Sequence, residues 1–68
     1  MLTLESISKI ITWVTLMIIE YDGTQLAVSA NAINLLDKEL KERDVLEANI
    51  RYSENFKQLV VVVTLAEN

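Results

Sequence analysis

Two segments of the chain are apolar on both of the faces that a β-strand presents, and they limit the choice of fold more than any other feature. Residues 10–21 read IITWVTLMIIEY, and residues 59–65 read LVVVVTL. β-Branched and aromatic side chains lose freedom in a helix and pack well on a pleated surface. We therefore predict two strands, of which the second lies in the interior of a sheet. A helix is the alternative for residues 10–21, because one helical stripe joins Ile7, Ile11, Val14 and Ile18.

The dipeptide Asp22-Gly23 directly follows the first segment and predicts a tight hairpin. It suits a two-residue type I′ turn, since both central residues of that turn need a positive φ. A second strand over residues 24–28 follows from this turn. The register of the hairpin would set these residues opposite each other: Tyr21 and Thr24, Ile19 and Leu26, Met17 and Val28.

One amphipathic helix is predicted over residues 30–43. Ser29 or Asn31 offers an oxygen that can cap its first N–H groups. Apolar side chains then recur at helical spacing, which gives the helix one face for burial. The stripe consists of Ile33, Leu36 and Leu40, widened by Ala32 and Leu35.

Residues 45–53 alternate apolar and polar side chains, as a strand with one wet face does. The predicted fold is therefore α+β: an antiparallel ββαββ sheet with one amphipathic helix on one face, in a single domain of residues 1–68. Residues 1–8 fit two alternatives. They form either an additional strand or a short helix that Thr3 caps.

The strands present more apolar surface than one helix can cover, so we predict that the second sheet face is used for oligomerisation. Each buried Val, Leu or Ile is worth roughly 1.5–3 kcal/mol, and a small domain cannot leave many of them in water. A second copy of the chain is the commonest solution. The predicted interface residues are Trp13, Leu16, Ile18, Phe56, Val60 and Val62. For Trp13 the alternative is a core aromatic, and for Phe56 it is a side chain folded over the sheet edge.

The composition argues against several classes of function. The chain has no Cys, no His and one Gly, which leaves no thiol, imidazole or glycine-rich phosphate loop. We therefore predict no enzymatic activity, no catalytic residues, no cofactor and no metal site. The net charge of −4 argues against direct nucleic-acid binding. No apolar run reaches the roughly 20 residues of a membrane span, so we predict no membrane partner. The absence of Cys favours a reducing compartment, so we predict a cytoplasmic location.

The sequence thus predicts a small acidic protein that binds other proteins and works as a homo-oligomer, most simply a homodimer. One alternative is a phage- or plasmid-encoded inhibitor that blocks a host enzyme or defence complex. Its candidate docking face is acidic: Asp37, Glu39, Glu42 and Asp44. The interleaved cations Lys38, Lys41 and Arg43 favour an ordinary solvated helix side instead. A structural subunit of a larger assembly is the third alternative.

Overall fold

The computed structural model describes residues 2–11 and 15–67. Within them the chain is α+β, as predicted, with short helices and one four-stranded sheet. The elements in chain order are helix α1 (Leu4–Ile10), strand β1 (Leu16–Tyr21), strand β2 (Thr24–Ser29), a 3₁₀ helix (Ala30–Leu35), helix α2 (Lys38–Lys41), strand β3 (Val45–Ser53) and strand β4 (Gln58–Leu65).

Of the two alternatives predicted for residues 1–8, a strand or a short helix, the structure contains the helix, α1. Thr3 is the N-cap of α1, and its Oγ1 accepts a hydrogen bond of 3.2 Å from the amide of Ser6. Leu4 and Ile7 lie one turn apart and are both buried. The predicted strand 10–21 is therefore too long at its start, because Ile10 belongs to α1 and β1 begins only at Leu16. The segment has helical spacing up to Ile11, and this spacing overrides the β-propensity of its first residues.

The first hairpin forms as its turn chemistry predicts. Asp22 and Gly23 both have positive φ, 48° and 76°. The register sets Tyr21 opposite Thr24, and the other predicted pairs of the hairpin are present as well. Local turn residues therefore determine how β1 and β2 align.

The predicted helix 30–43 is wrong, because the chain forms two short helical pieces instead. Residues 30–35 are a 3₁₀ helix, and Leu36 then takes an extended conformation with ψ of 159°. A new helical turn, α2, starts after Asp37. Residues 30–43 contain Asn31, Asn34 and Asp37. Asn and Asp are weak helix formers that favour caps and turns, because their side chains can compete for backbone hydrogen bonds, and this accounts for an interrupted helix.

The sheet is mixed rather than antiparallel, which corrects the predicted topology. Its strand order is β2-β1-β4-β3, and β1 pairs with β4 in parallel. The chain crosses from β2 at one edge to β3 at the other, and β4 then returns between β3 and β1. The interior position of β4 is the one that its two apolar faces predict. Strand β3 therefore runs opposite to β1, and β4, which is antiparallel to β3, runs in the same direction as β1.

All the helices pack on one face of the sheet. They contribute Leu4, Ile7, Ile33 and Leu40 to a core that also contains residues of the two inner strands: Met17, Ile19, Val61, Val63 and Leu65. From β3 only Val45 packs against this core. The helical layer thus covers β1 and the adjoining part of β4, and it leaves most of β3 uncovered.

Candidate protein-binding surfaces of the sheet

The sheet face opposite the helices carries no second layer among the described residues, and we call it the open face. Side chains alternate between the two faces along each strand. The strand pairing places fourteen residues here: Leu16, Ile18 and Glu20 of β1; Gln25, Ala27 and Ser29 of β2; Glu47, Asn49, Arg51 and Ser53 of β3; and Gln58, Val60, Val62 and Thr64 of β4.

Four of the six predicted interface residues form one block at the centre of the open face. Leu16, Ile18 and Val62 are half-buried, and Val60 is only 2% exposed. Because β1 and β4 are the inner strands, each of these side chains has neighbours on both sides. The block is therefore less exposed than the sequence argument assumed, although its use as an interface stays a prediction.

Of the other two predicted interface residues, only Phe56 lies within the described part of the chain. Phe56 is 45% exposed, and together with Arg51 and Val60 it lines a shallow depression of about 240 Å³ on the open face. The side chain thus lies beside the apolar block, so that both of its predicted roles stay open. Trp13 lies outside the described residues.

The open face is polar and acidic at one end. The Glu20 carboxylate accepts hydrogen bonds from Gln25 Nε2 at 2.7 Å and from Thr64 Oγ1 at 3.2 Å. Glu47, opposite Thr64 on β3, accepts a bond of 2.7 Å from Asn49 Nδ2. Arg51 stands at the other end, opposite Val60, and has no ion-pair partner within residues 2–11 and 15–67. Charge on this face therefore changes sign along β3.

A second apolar surface lies on the helix side of the sheet, where the helices do not reach. Ile50 is 58% exposed, Tyr52 is 60% exposed and Leu59 is 51% exposed. Tyr52 and Leu59 are cross-strand partners, and Ile50 points to the same face two residues earlier. We call these three residues the β3 patch. The sequence reasoning missed the patch because it gave the whole helix side to a 14-residue helix that does not form; the alternation in residues 45–53 was the available signal.

Arg43 joins the hairpin tip to α2. Its Nη2 lies 3.0 Å from Asp22 Oδ2, and its Nε donates to Glu39 Oε1 at 2.8 Å. The guanidinium lies 5.6 Å from the ring centroid of Tyr21, and the side chain is 8% exposed. The hydrogen bonds to Asp22 and then Glu39 raise the pKa of Arg43 further above its usual value, while desolvation opposes them. Nη1 is buried without a hydrogen-bond partner. The i,i+4 spacing of Glu39 and Arg43 is readable from the sequence, whereas the contact with Asp22 joins distant parts of the chain.

The predicted acidic docking face is only partly assembled. Glu39, Glu42 and Asp44 line one shallow depression together with Arg43 and Glu67. Asp37, the residue before α2, lies outside that depression. Lys38 approaches Glu42 at 3.9 Å, and Glu39 is bound by Arg43. Cations thus lie among these carboxylates, as the simpler interpretation of the sequence expects.

The chain matches no protein-family model, and it resembles no curated protein and no solved structure. In the part of the chain that the structure describes, no helix is long and apolar enough to cross a membrane. The same residues contain no group of three or more acidic side chains that could hold a metal ion.

Proposed function

We propose that this is a small non-enzymatic protein-interaction protein that works as a homo-oligomer, most simply a dimer, with the sheet as its association surface. The observation that carries the proposal is the β3 patch. Soluble monomers rarely expose contiguous apolar patches larger than a few hundred Å² unless a partner covers them. Ile50, Tyr52 and Leu59 are each more than half exposed and lie together on adjacent strands.

The charge and composition support the choice of partner. A net charge of −4 disfavours both nucleic acid and anionic membrane surfaces and is compatible with a protein partner. Within this proposal the protein works in the cytoplasm, since a chain without cysteine needs no oxidising compartment. The open face, with its central apolar block, is then available to a further protein.

The experiment measures self-association by sedimentation equilibrium over a wide concentration range. We expect a dimer whose dissociation constant rises at least about tenfold in Ile50→Asp, because a charge would replace a buried interface side chain. Leu35→Asp is the matched control. Leu35 is 81% exposed on the 3₁₀ helix, away from the sheet. Both variants are checked for folding by circular dichroism. A wild-type chain that stays monomeric throughout would refute the proposal.

The inhibitor alternative is favoured by one observation, the depression that brings Glu39, Glu42 and Asp44 together with Glu67. Carboxylates gathered in this way are complementary to a basic protein surface. Affinity capture followed by identification of the bound protein tests it. We expect Glu42→Gln/Glu67→Gln to abolish capture of a basic protein and Lys38→Gln to preserve it. Equal capture by both variants would contradict the inhibitor function.

A further inference from the structure

Strand β3 is an exposed edge strand with little protection against pairing. It ends the strand order β2-β1-β4-β3, and residues 46–52 are all exposed. Natural edges are commonly blocked by charged side chains, especially Lys, and by Pro or bulges. β3 contains no Lys or Pro, its two charged residues Glu47 and Arg51 have opposite signs, and its one irregularity lies at its start, between Val45 and Glu47. From Glu47 to Ser53 the strand is regular and offers its outer backbone groups to another strand.

The other edge strand, β2, lacks the features that make β3 suited to a partner. The side chains that β2 places on the open face are uncharged: Gln25, Ala27 and Ser29. Its apolar residues Leu26 and Val28 face the helices and pack against the core. β3 instead has exposed apolar side chains on one face and two opposite charges on the other.

The two charges of β3 are placed symmetrically. Glu47 and Arg51 lie on the open face, each two residues from Asn49. Opposite residues in an antiparallel pair point to the same face. A twofold axis perpendicular to the sheet therefore sets one residue of each strand opposite its own copy. With Asn49 at that position, each Glu47 faces Arg51 of the partner subunit.

We propose that two copies of the chain pair antiparallel through β3, with Asn49 on the twofold axis, so that the two sheets become one. Two reciprocal Glu47–Arg51 pairs specify the register on the open face. This inference rests on the proposed homo-oligomeric function and names the surface that performs it.

The two registers in which the axis passes through the residue before or after Asn49 do not pair Glu47 with Arg51 of the partner subunit. With Ala48 on the axis, Glu47 faces Asn49 of the partner subunit. With Ile50 on the axis, Arg51 faces that same Asn49. Both registers lose the opposite-charge pairs, each of which stabilises paired strands. In the Asn49 register, Ile50 faces Ala48 of the partner subunit on the helix side, so that the β3 patch gains apolar neighbours.

Charge reversal tests the pairing. Glu47→Arg alone, or Arg51→Glu alone, sets like charges opposite each other at both ends of the interface. We expect each to raise the dimer dissociation constant by about tenfold or more. The double variant E47R/R51E restores opposite charges and should restore the dimer. An equimolar mixture of the two single variants should form a heterodimer, detectable by native mass spectrometry from their different masses.

Cysteine cross-linking tests the register. The chain has no native Cys, so that one introduced thiol gives an unambiguous result. Opposite Cα atoms of an antiparallel pair are about 4.5–5.5 Å apart, within the roughly 4.4–6.8 Å that a disulfide spans. We expect Asn49→Cys to form a covalent dimer under mild oxidation. Ala27→Cys, at the same face and near the middle of the other edge strand, should stay monomeric on a non-reducing gel.

The outcomes separate this inference from the proposed function. Cross-linking of N49C together with rescue by E47R/R51E supports β3 pairing. A wild-type dimer that neither single charge reversal weakens, or that N49C does not cross-link, overturns β3 pairing and leaves the homo-oligomeric function standing. A monomer at every concentration overturns both.

Discussion

Replacing Leu4 with Ala tests whether the N-terminal helix belongs to the folded unit. Leu4 is fully buried in the core, and its amide donates a hydrogen bond of 3.1 Å to the carbonyl of Arg43. Truncating a buried Leu to Ala costs about 2–5 kcal/mol, because apolar contacts are lost and a cavity remains. With no exposure at all, Leu4 should lie near the middle of that range, about 3 kcal/mol. For 68 residues the whole stability is about 3–10 kcal/mol.

The assay is urea unfolding followed by circular dichroism at one fixed protein concentration, because association makes apparent stability depend on concentration. We expect L4A to lower the free energy of unfolding by about 3 kcal/mol with an unchanged denaturant slope. Leu2→Ala is the matched control. Leu2 is 48% exposed, so its truncation should cost less than about 1 kcal/mol. An L4A variant within about 0.5 kcal/mol of the wild type would show that α1 contributes no packing to the fold.

Three further substitutions test local features of the fold. Thr3→Ala should lower stability by about 1 kcal/mol in a thermal melt, because α1 loses its side-chain cap, and Thr3→Ser should retain most of it. Gly23→Ala should lower the free energy of unfolding by about 1 kcal/mol in urea unfolding. No atom lies within 4 Å of the added Cβ, so the cost comes from the φ of 76°. Gly23→Asn should recover part of the loss. Arg43→Lys should speed hydrogen exchange at the Tyr21–Thr24 pair that closes the hairpin, because an ammonium cannot reproduce the two-carboxylate geometry of the guanidinium. R51K should leave that pair unchanged, and equal protection in both variants would contradict the role of Arg43.

Features that depend on neighbouring residues in the chain were predictable from the sequence. The hairpin follows from Asp22-Gly23, whose two positive φ values set the register without any distant contact. The bounds of β3 follow from its alternation and agree with residues 45–53. In both cases the information lies within a few residues, where turn chemistry and side-chain periodicity act.

The sheet order and the helical layer depend on distant contacts, and the sequence predicted them less well. The parallel pairing of Ile18 with Val62 joins residues that are 44 positions apart in the sequence, and no local signal specifies it. Ile33 and Leu40 are buried as the helical stripe requires, whereas Leu35, which widened the stripe, is 81% exposed. A stripe of apolar residues therefore predicts which side chains are buried better than it predicts one continuous helix.

The interruption of the helix also changes which apolar surface of the sheet is left uncovered. A continuous helix over residues 30–43 would be about 21 Å long and would have covered much of the helix side, leaving the open face as the surface to be covered. The two short pieces leave Ile50 and Tyr52 exposed at the sheet edge instead, while Val60 on the open face is buried by its neighbours. The excess of apolar strand surface thus remains, but most of its exposed part lies along β3. Pairing at that edge satisfies the backbone groups of β3 and gives Ile50 and Tyr52 side-chain neighbours on the added strand, whereas stacking on the open face would leave those backbone groups unpaired.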